Sequence, residues 1–316
     1  MNKIILFFII ITSLFSSNIK KPDLQLKADA AVIDIVYNDN KLYVSTIASI
    51  VNIFDLKTYK KVKTIKLPKI KDFMGDSVNA KVYSVDVLNS KILILSQAAH
   101  GYRSIYLYEN NKLFQIISSQ DKLSIAKAKF VNSDTIVMAL LSNDVISYDI
   151  KEKKQNWVIQ ASQSKFSNFV LNEEKTKVII CDESGDLHIL DINDGNILKT
   201  LSGQNLDNVF QVDYKNGIIA TAGQDRRAVI YNTKFNSAYY KTADFLIYSV
   251  GLSPSGKIAG YASDENNNVT LFKTDTKSKI GVFGGNAMTI TNILFLNENE
   301  FFISSDDKII NFYKLN

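Results

Sequence analysis

The sequence is short of the residues that most often carry chemistry. One cysteine, Cys181, stands alone among 316 residues, so no intramolecular disulfide can form. The same count excludes a Cys-x-x-Cys motif, a haem-attachment motif and any zinc-ligand spacing. Cys181 ends the apolar stretch Lys177–Cys181, where a buried and inert thiol is expected. Only two histidines exist, His100 and His188, with no second histidine near either. Arginine is limited to Arg103, Arg226 and Arg227, and proline to three positions. The formal net charge is only +5 and comes from scattered lysines, so the clustered charge of a nucleic-acid footprint is missing.

Long hydrophobic runs are also scarce. The one notable run, Ile4 to Phe15, follows Met1-Asn2-Lys3 and precedes Ser16-Ser17-Asn18. A short positive start, an apolar centre and small polar residues make a secretory signal. The reading is therefore a signal peptide over 1–17 and one globular domain over 18–316, placed in the periplasm. The run falls short of the roughly 20 residues that a membrane span needs. Phe15 or Leu14 would fall at the −3 position of cleavage, so an uncleaved anchor stays open. The absence of a nearby cysteine excludes a lipoprotein.

What is plentiful is a repeat. Seven times an apolar strand closes on a large hydrophobic residue followed by a polar one: Phe54-Asp55, Tyr108-Glu109, Tyr148-Asp149, Leu190-Asp191, Tyr231-Asn232, Phe272-Lys273 and Tyr313-Lys314. The steps between them are 54, 40, 42, 41, 41 and 41 residues. A period of about 40–45 residues with several short strands per unit is the mark of a β-propeller. The fold expected is all-β, with seven blades of four strands, a to d from the axis outward. In blade six, strand a is expected over Tyr248–Ser253. Blade seven runs out of sequence before its strand d. The spare alternating segment Asp23–Lys27 is expected to supply it, closing the ring and covering an edge open to foreign strands.

Two stretches carry a resemblance. Ala222 to Asn232 resembles the b–c signature of WD40 repeats, with Tyr-Asn in place of Trp-Asp, and Ser253-Pro254-Ser255-Gly256-Lys257 resembles the a–b turn of that family. The Gly-His pair of WD40 repeats is absent; Gly203-Gln204 and Gly285-Asn286 stand near its place, which leaves open whether a buried network built on that histidine exists here. The leader, the repeats, the Gly-Gln-Asp-Arg-Arg stretch and the composition also resemble the NapL type of accessory protein, which accompanies periplasmic nitrate reductase in certain bacteria. That resemblance implies a non-enzymatic interaction scaffold, with reductase subunits or their assembly factors as partners.

Residues that could bind a partner gather at one place. The first repeat step is longer than the rest because of Pro68–Ala80, before blade two, and Gln97–Arg103, inside it. In a propeller the d–a and b–c connections emerge on the same face. Both insertions therefore crown one side, and the three arginines are placed in b–c turns on that side. The candidate partner-binding residues are Phe73, Met74, His100, Tyr102, Arg103, Arg226 and Arg227. Arginine suits interfaces because its planar fork presents several donors. No catalytic, cofactor or metal residues are assigned, and a monomer is expected, with no nucleic-acid partner and no membrane span once the leader is cleaved. His188, in strand c of blade four, reads as packing. Trp157, the single tryptophan, lies in an outer strand, whereas a quinone-cofactor propeller expects several. The alternatives are a haem or quinone carrier and a hydrolase of the lactonase type, whose metal would need acidic residues at the axis. Most acidic residues here are placed in turns.

Overall fold

A computed structural model describes residues 19–315, so the leader expected over 1–17 lies outside the described residues. The chain forms seven blades arranged as a β-propeller; in the first six, four strands consecutive along the blade pair antiparallel in order, and the seventh takes its outer strand from the N-terminal segment. The innermost strands are Val32–Asn38, Val82–Leu88, Ile125–Phe130, Phe166–Leu171, Val209–Lys215, Val250–Leu252 and Ile290–Phe295.

Local chemistry explains the tight hairpins. Asp39-Asn40, Asn89-Ser90, Asn110-Asn111 and Asn216-Gly217 each place two successive residues at positive φ. Such two-residue turns match the twist of the flanking strands, and Asn, Asp and Gly tolerate that backbone best.

Packing lies between blades rather than within them. Buried apolar side chains fall into seven clusters, one at each blade-to-blade boundary. At the boundary of blades two and three, for example, Leu93, Leu95 and Ile105 meet Phe130, Ile136 and Met138. Each blade thus depends on its neighbours, and the seam must be closed for the first and last blades to be covered.

The seam is closed as expected. Leu24–Lys27 pairs antiparallel with Ile309–Lys314 in blade seven, with Leu24 opposite Phe312 and Leu26 opposite Ile310. Leu26 is buried among Leu42, Phe302 and Phe312. A second contact was not expected: Ile19–Lys20 pairs in parallel with Lys279–Phe283, the outer strand of blade six. The N-terminal segment therefore straps two blades, six and seven.

Blade six departs from expectation at its inner strand, which pairs only over Val250–Leu252 rather than from Tyr248. Its entry leans toward blade five instead. The Ile247 amide donates to the Gly223 carbonyl, and Ser249 Oγ and the Val250 amide both donate to Gln211 Oε1. Gly251 permits a close approach on the other side, because a Cβ there would run into the Ile293 carbonyl of blade seven.

Candidate functional site

The inner strands share a pattern of four residues: buried, open, polar, buried. It reads Val32-Ile33-Asp34-Ile35, Val82-Tyr83-Ser84-Val85, Ile125-Ala126-Lys127-Ala128, Phe166-Ser167-Asn168-Phe169, Val209-Phe210-Gln211-Val212, Ile247-Tyr248-Ser249-Val250 and Ile290-Thr291-Asn292-Ile293. In blades one to five and seven the register slips across the second residue of the pattern. A β-bulge of this kind sets two residues against one on the partner strand and re-aims a side chain. Both central residues then face the axis. All of them except Ser249 line one cavity of about 410 Å³ at the crown end of the channel.

Most polar side chains of this row tie one blade to the next. Asp34 Oδ2 accepts from the Val85 amide at 3.1 Å. Asn292 Nδ2 donates to the Ile33 carbonyl across the seam at 3.1 Å. Gln211, already joined to blade six, also donates to the Thr291 carbonyl of blade seven at 3.3 Å. One layer deeper, Asp86 Oδ2 accepts from the Phe130 amide at 2.7 Å, and Asp213 Oδ2 from the Leu252 amide at 2.8 Å. These aspartates are in the inner strands at the axis, whereas most acidic residues lie in turns as expected.

Two lysines share the channel and are treated differently. Lys129 lies 3.6 Å from Asp86 and donates to the Val85 carbonyl. Burial pulls its pKa down, but Asp86 and Asp34 outweigh this and leave it above the ordinary lysine value. Lys127 makes one hydrogen bond, to Asn168 Oδ1 at 2.7 Å. Burial, and then the charge of Lys129, lower its pKa to about 8.

Above the channel stands the crown, where the candidate partner-binding residues are found. Pro68–Ala80 is not a plain loop; Ile70–Lys71 and Ser77–Val78 pair as a small hairpin. The Asp72 carboxylate accepts from the Met74 and Asp76 amides, both at 2.9 Å, and fixes the tip. Phe73 and Met74 project from that tip, 95% and 71% exposed. His100 is exposed in the short turn Ala99–Gly101, and Tyr102 is half-buried beside it.

The arginines require a correction. Arg103 and Arg227 open strand c rather than lie in the turns before it, and only Arg226 is a turn residue. The Arg103 guanidinium stacks 4.2 Å over the Tyr83 ring and donates to the Gly101 and Tyr102 carbonyls. Arg227 stacks 4.2 Å over Tyr240 and donates to the Gln204 carbonyl. Both are largely committed to their own blade, whereas Arg226 is exposed. All three remain on the crown side, but blades two and five stand across the ring from each other. The candidates therefore form two groups rather than one patch.

No protein-family model and no curated protein matches the chain. The propeller is established by the strands themselves, and the WD40 likeness can be tested on its buried contacts. In blade five the place of the missing histidine is filled. Thr221 Oγ1 donates to Asn205 Oδ1 at 2.8 Å, and Asn205 Nδ2 donates to the Tyr231 hydroxyl at 3.0 Å. Asp225 Oδ2 accepts from the Leu206 amide, which locks the same corner. In blade seven Asn286 takes a hydrogen bond from Asn311, while the Tyr313 hydroxyl donates to the Gly284 carbonyl. An asparagine network thus stands where the histidine network was in question.

The remaining candidates are structural. Cys181 is fully buried, which raises its thiol pKa. Trp157 donates to the Ile192 carbonyl of blade four at 3.1 Å. His188 is buried, with Nδ1 at 3.1 Å from Thr200 Oγ1. Among the described residues, no three His, Cys, Asp or Glu side chains are grouped as a metal ion would require.

Sequence reasoning missed other crown residues. Ile47, Leu141, Leu206, Phe245 and Met288 are exposed in d–a and b–c connections. The signal was there: a large apolar residue inside a polar turn, as in Gln204-Asn205-Leu206-Asp207-Asn208. On the opposite face, among the described residues, the comparably exposed large hydrophobics are Phe235, in a connection, and Tyr37, near the end of the inner strand Val32–Asn38.

Proposed function

We propose that this protein is a docking platform that holds another protein against its crown. The observation that carries the reading is the imbalance between the faces. Seven exposed large hydrophobics, including Phe73 and Met74, emerge from crown connections, against two on the other face. Apolar side chains held in water by a rigid scaffold mark interaction surfaces when they gather on one side. The hydrogen bonds of the channel aspartates run to neighbouring backbone amides, which favours structural work over catalysis, so the scaffold reading is placed ahead of a hydrolase.

The finer reading is a periplasmic accessory or assembly factor for nitrate reductase. It rests on the leader pattern and on the resemblance of the repeats, leader and composition to the NapL type. The test is affinity capture with the mature protein, followed by identification of what is retained. Phe73→Ser with Met74→Ser should abolish capture, whereas Lys153→Ala with Asn193→Ala on the opposite face should not. Loss of capture only with the second pair would place docking on the wrong face. Capture that excludes reductase subunits and their assembly factors would remove the finer reading.

A further inference from the structure

Around the polar row of the channel, hydrogen-bonding capacity is spent unevenly. Asn168, Gln211 and Asn292 are joined to neighbouring blades or to Lys127. The three consecutive positions Asp34, Ser84 and Lys127, on blades one, two and three, keep capacity in hand. Asp34 uses only Oδ2, for the Val85 amide. Ser84 Oγ is buried and has no partner at all. Lys127 spends one of three protons and has no carboxylate within ion-pair distance. An unpartnered buried hydroxyl is costly, and native proteins seldom keep one without a reason.

Across the mouth from this arc the wall is aromatic. Phe210 and Tyr248 stack with ring centres 5.2 Å apart at 17°, and both line the same cavity. On the near side Tyr83 is held under the Arg103 guanidinium. A cavity of about 410 Å³ falls at the small end of ligand sites, which combine apolar walls with a few placed polar groups.

We propose that the channel mouth binds a small zwitterion, a free amino acid with a flat apolar side chain, through Asp34, Ser84 and Lys127. The α-ammonium meets Asp34 Oδ1, the carboxylate meets the Lys127 ammonium, and Ser84 Oγ bonds between them. The side chain lies against Phe210 and Tyr248. An acid and a base on one arc that do not pair with each other are complementary to a ligand carrying both charges. A simple anion would leave Asp34 repelling it, and a simple cation would face Lys127. This site lies below the crown and needs no protein partner, so it stands or falls separately from the docking reading.

The experiment is calorimetric titration of the folded protein at pH 7 with L-phenylalanine, L-tryptophan, N-acetyl-L-phenylalanine and L-phenylalanine amide. The last two keep the side chain but remove one charge each, and mimic the C-terminus and N-terminus of a chain. A free amino acid should bind at least tenfold more tightly than either blocked form. Lys127→Met should erase the preference over the amide, and Asp34→Asn the preference over the N-acetyl form. Ser84→Ala breaks no hydrogen bond of the ring; it should weaken binding while leaving the melting temperature unchanged. Equal binding of a blocked form would reassign the site to a chain terminus. No binding of phenylalanine or tryptophan at millimolar concentration would overturn the proposal, as would Lys127→Met and Asp34→Asn variants that stay folded and bind as before.

Discussion

The channel wall and the crown above it are built from the same period of chain, yet they use their side chains in opposite ways. In the wall, Asp86, Asp213, Gln211 and Asn292 each reach the backbone of another blade. In the crown, Phe73 and Met74 are held out into water by a turn that Asp72 fixes. The wall makes the ring a single cooperative body. The crown carries surface that the ring does not need. Variants that test this contrast should therefore cost stability when they touch the ring's ties and cost only binding when they touch the crown.

The largest effect should come from the strap. Removing residues 19–28 takes away the pairing with Ile309–Lys314, two flanking amide bonds and the buried side chain of Leu26. Each hydrogen bond is worth roughly 0.5–1.5 kcal/mol net and a buried leucine about 1.5–3 kcal/mol. The sum rivals a typical total stability of about 5–15 kcal/mol. The truncated chain should aggregate or melt far lower, measured by calorimetry and light scattering. An unchanged melting temperature would mean that the seam is not held by the strap.

Next comes a single tie in the wall. Asp86→Ala removes the acceptor of the Phe130 amide and leaves the Lys129 ammonium without its carboxylate. Breaking a buried ion pair from one side costs about 3–5 kcal/mol. Urea unfolding should report a loss of that order, and Asp86→Asn, which keeps an acceptor but not the charge, should fall between.

A smaller effect concerns pH. Lys127 has a folded pKa of about 8 against an ordinary 10.5, so between these values the unfolded chain binds more protons than the folded one. Stability from this group is thus lost as pH falls from 10.5 toward 8 and gained as it rises, by at most about 1.4 kcal/mol per pH unit. The buried hydroxyls of Tyr231, Tyr239 and Tyr313 have raised pKa values and act in the opposite sense above pH 10. Burial also raises the Cys181 thiol above its ordinary 9, which opposes the gain, but that group is common to the wild type and Lys127→Met, so the window for comparing the two is pH 8–10. There the wild type should gain stability relative to Lys127→Met, and parallel curves for the two proteins would remove the assignment.

The smallest effect on stability belongs to the crown. Phe73→Ser with Met74→Ser should change the unfolding free energy by no more than about 0.5 kcal/mol, as expected for exposed positions. The same change should abolish partner capture. A large loss of stability would show that the hairpin tip belongs to the ring after all.

The fold was legible because its signal is a count. The spacing of Phe54, Tyr108, Tyr148, Leu190, Tyr231, Phe272 and Tyr313 repeats whatever the identity of each residue. Closure by Asp23–Lys27 followed from a blade that lacked a strand. The parallel pairing of Ile19–Lys20 did not, since two residues carry no periodicity. The channel site was harder still. Period-two alternation sends Tyr83 and Ser84, or Ala126 and Lys127, to opposite faces of a strand, and only the bulge turns both toward the axis. Arg103 and Arg227 show a third kind of limit. Their place on the crown was readable, but not that Tyr83 and Tyr240 occupy their guanidinium faces, because those contacts span strands.

The strap also sets an order of events. Its residues are the first of the described chain to be made, while their partners, Lys279–Phe283 and Ile309–Lys314, are among the last. The Lys314 amide donates to Asp23 Oδ2 across 291 positions of sequence. Contacts of such separation form late, after intervening segments have gathered, because loop closure must come first. Until Tyr313 has emerged, blade seven has only two of its four strands in place and Leu26 has no bed to lie in. A partly made chain can stack blades but cannot become a ring, so commitment to the native state waits for Ile309–Lys314.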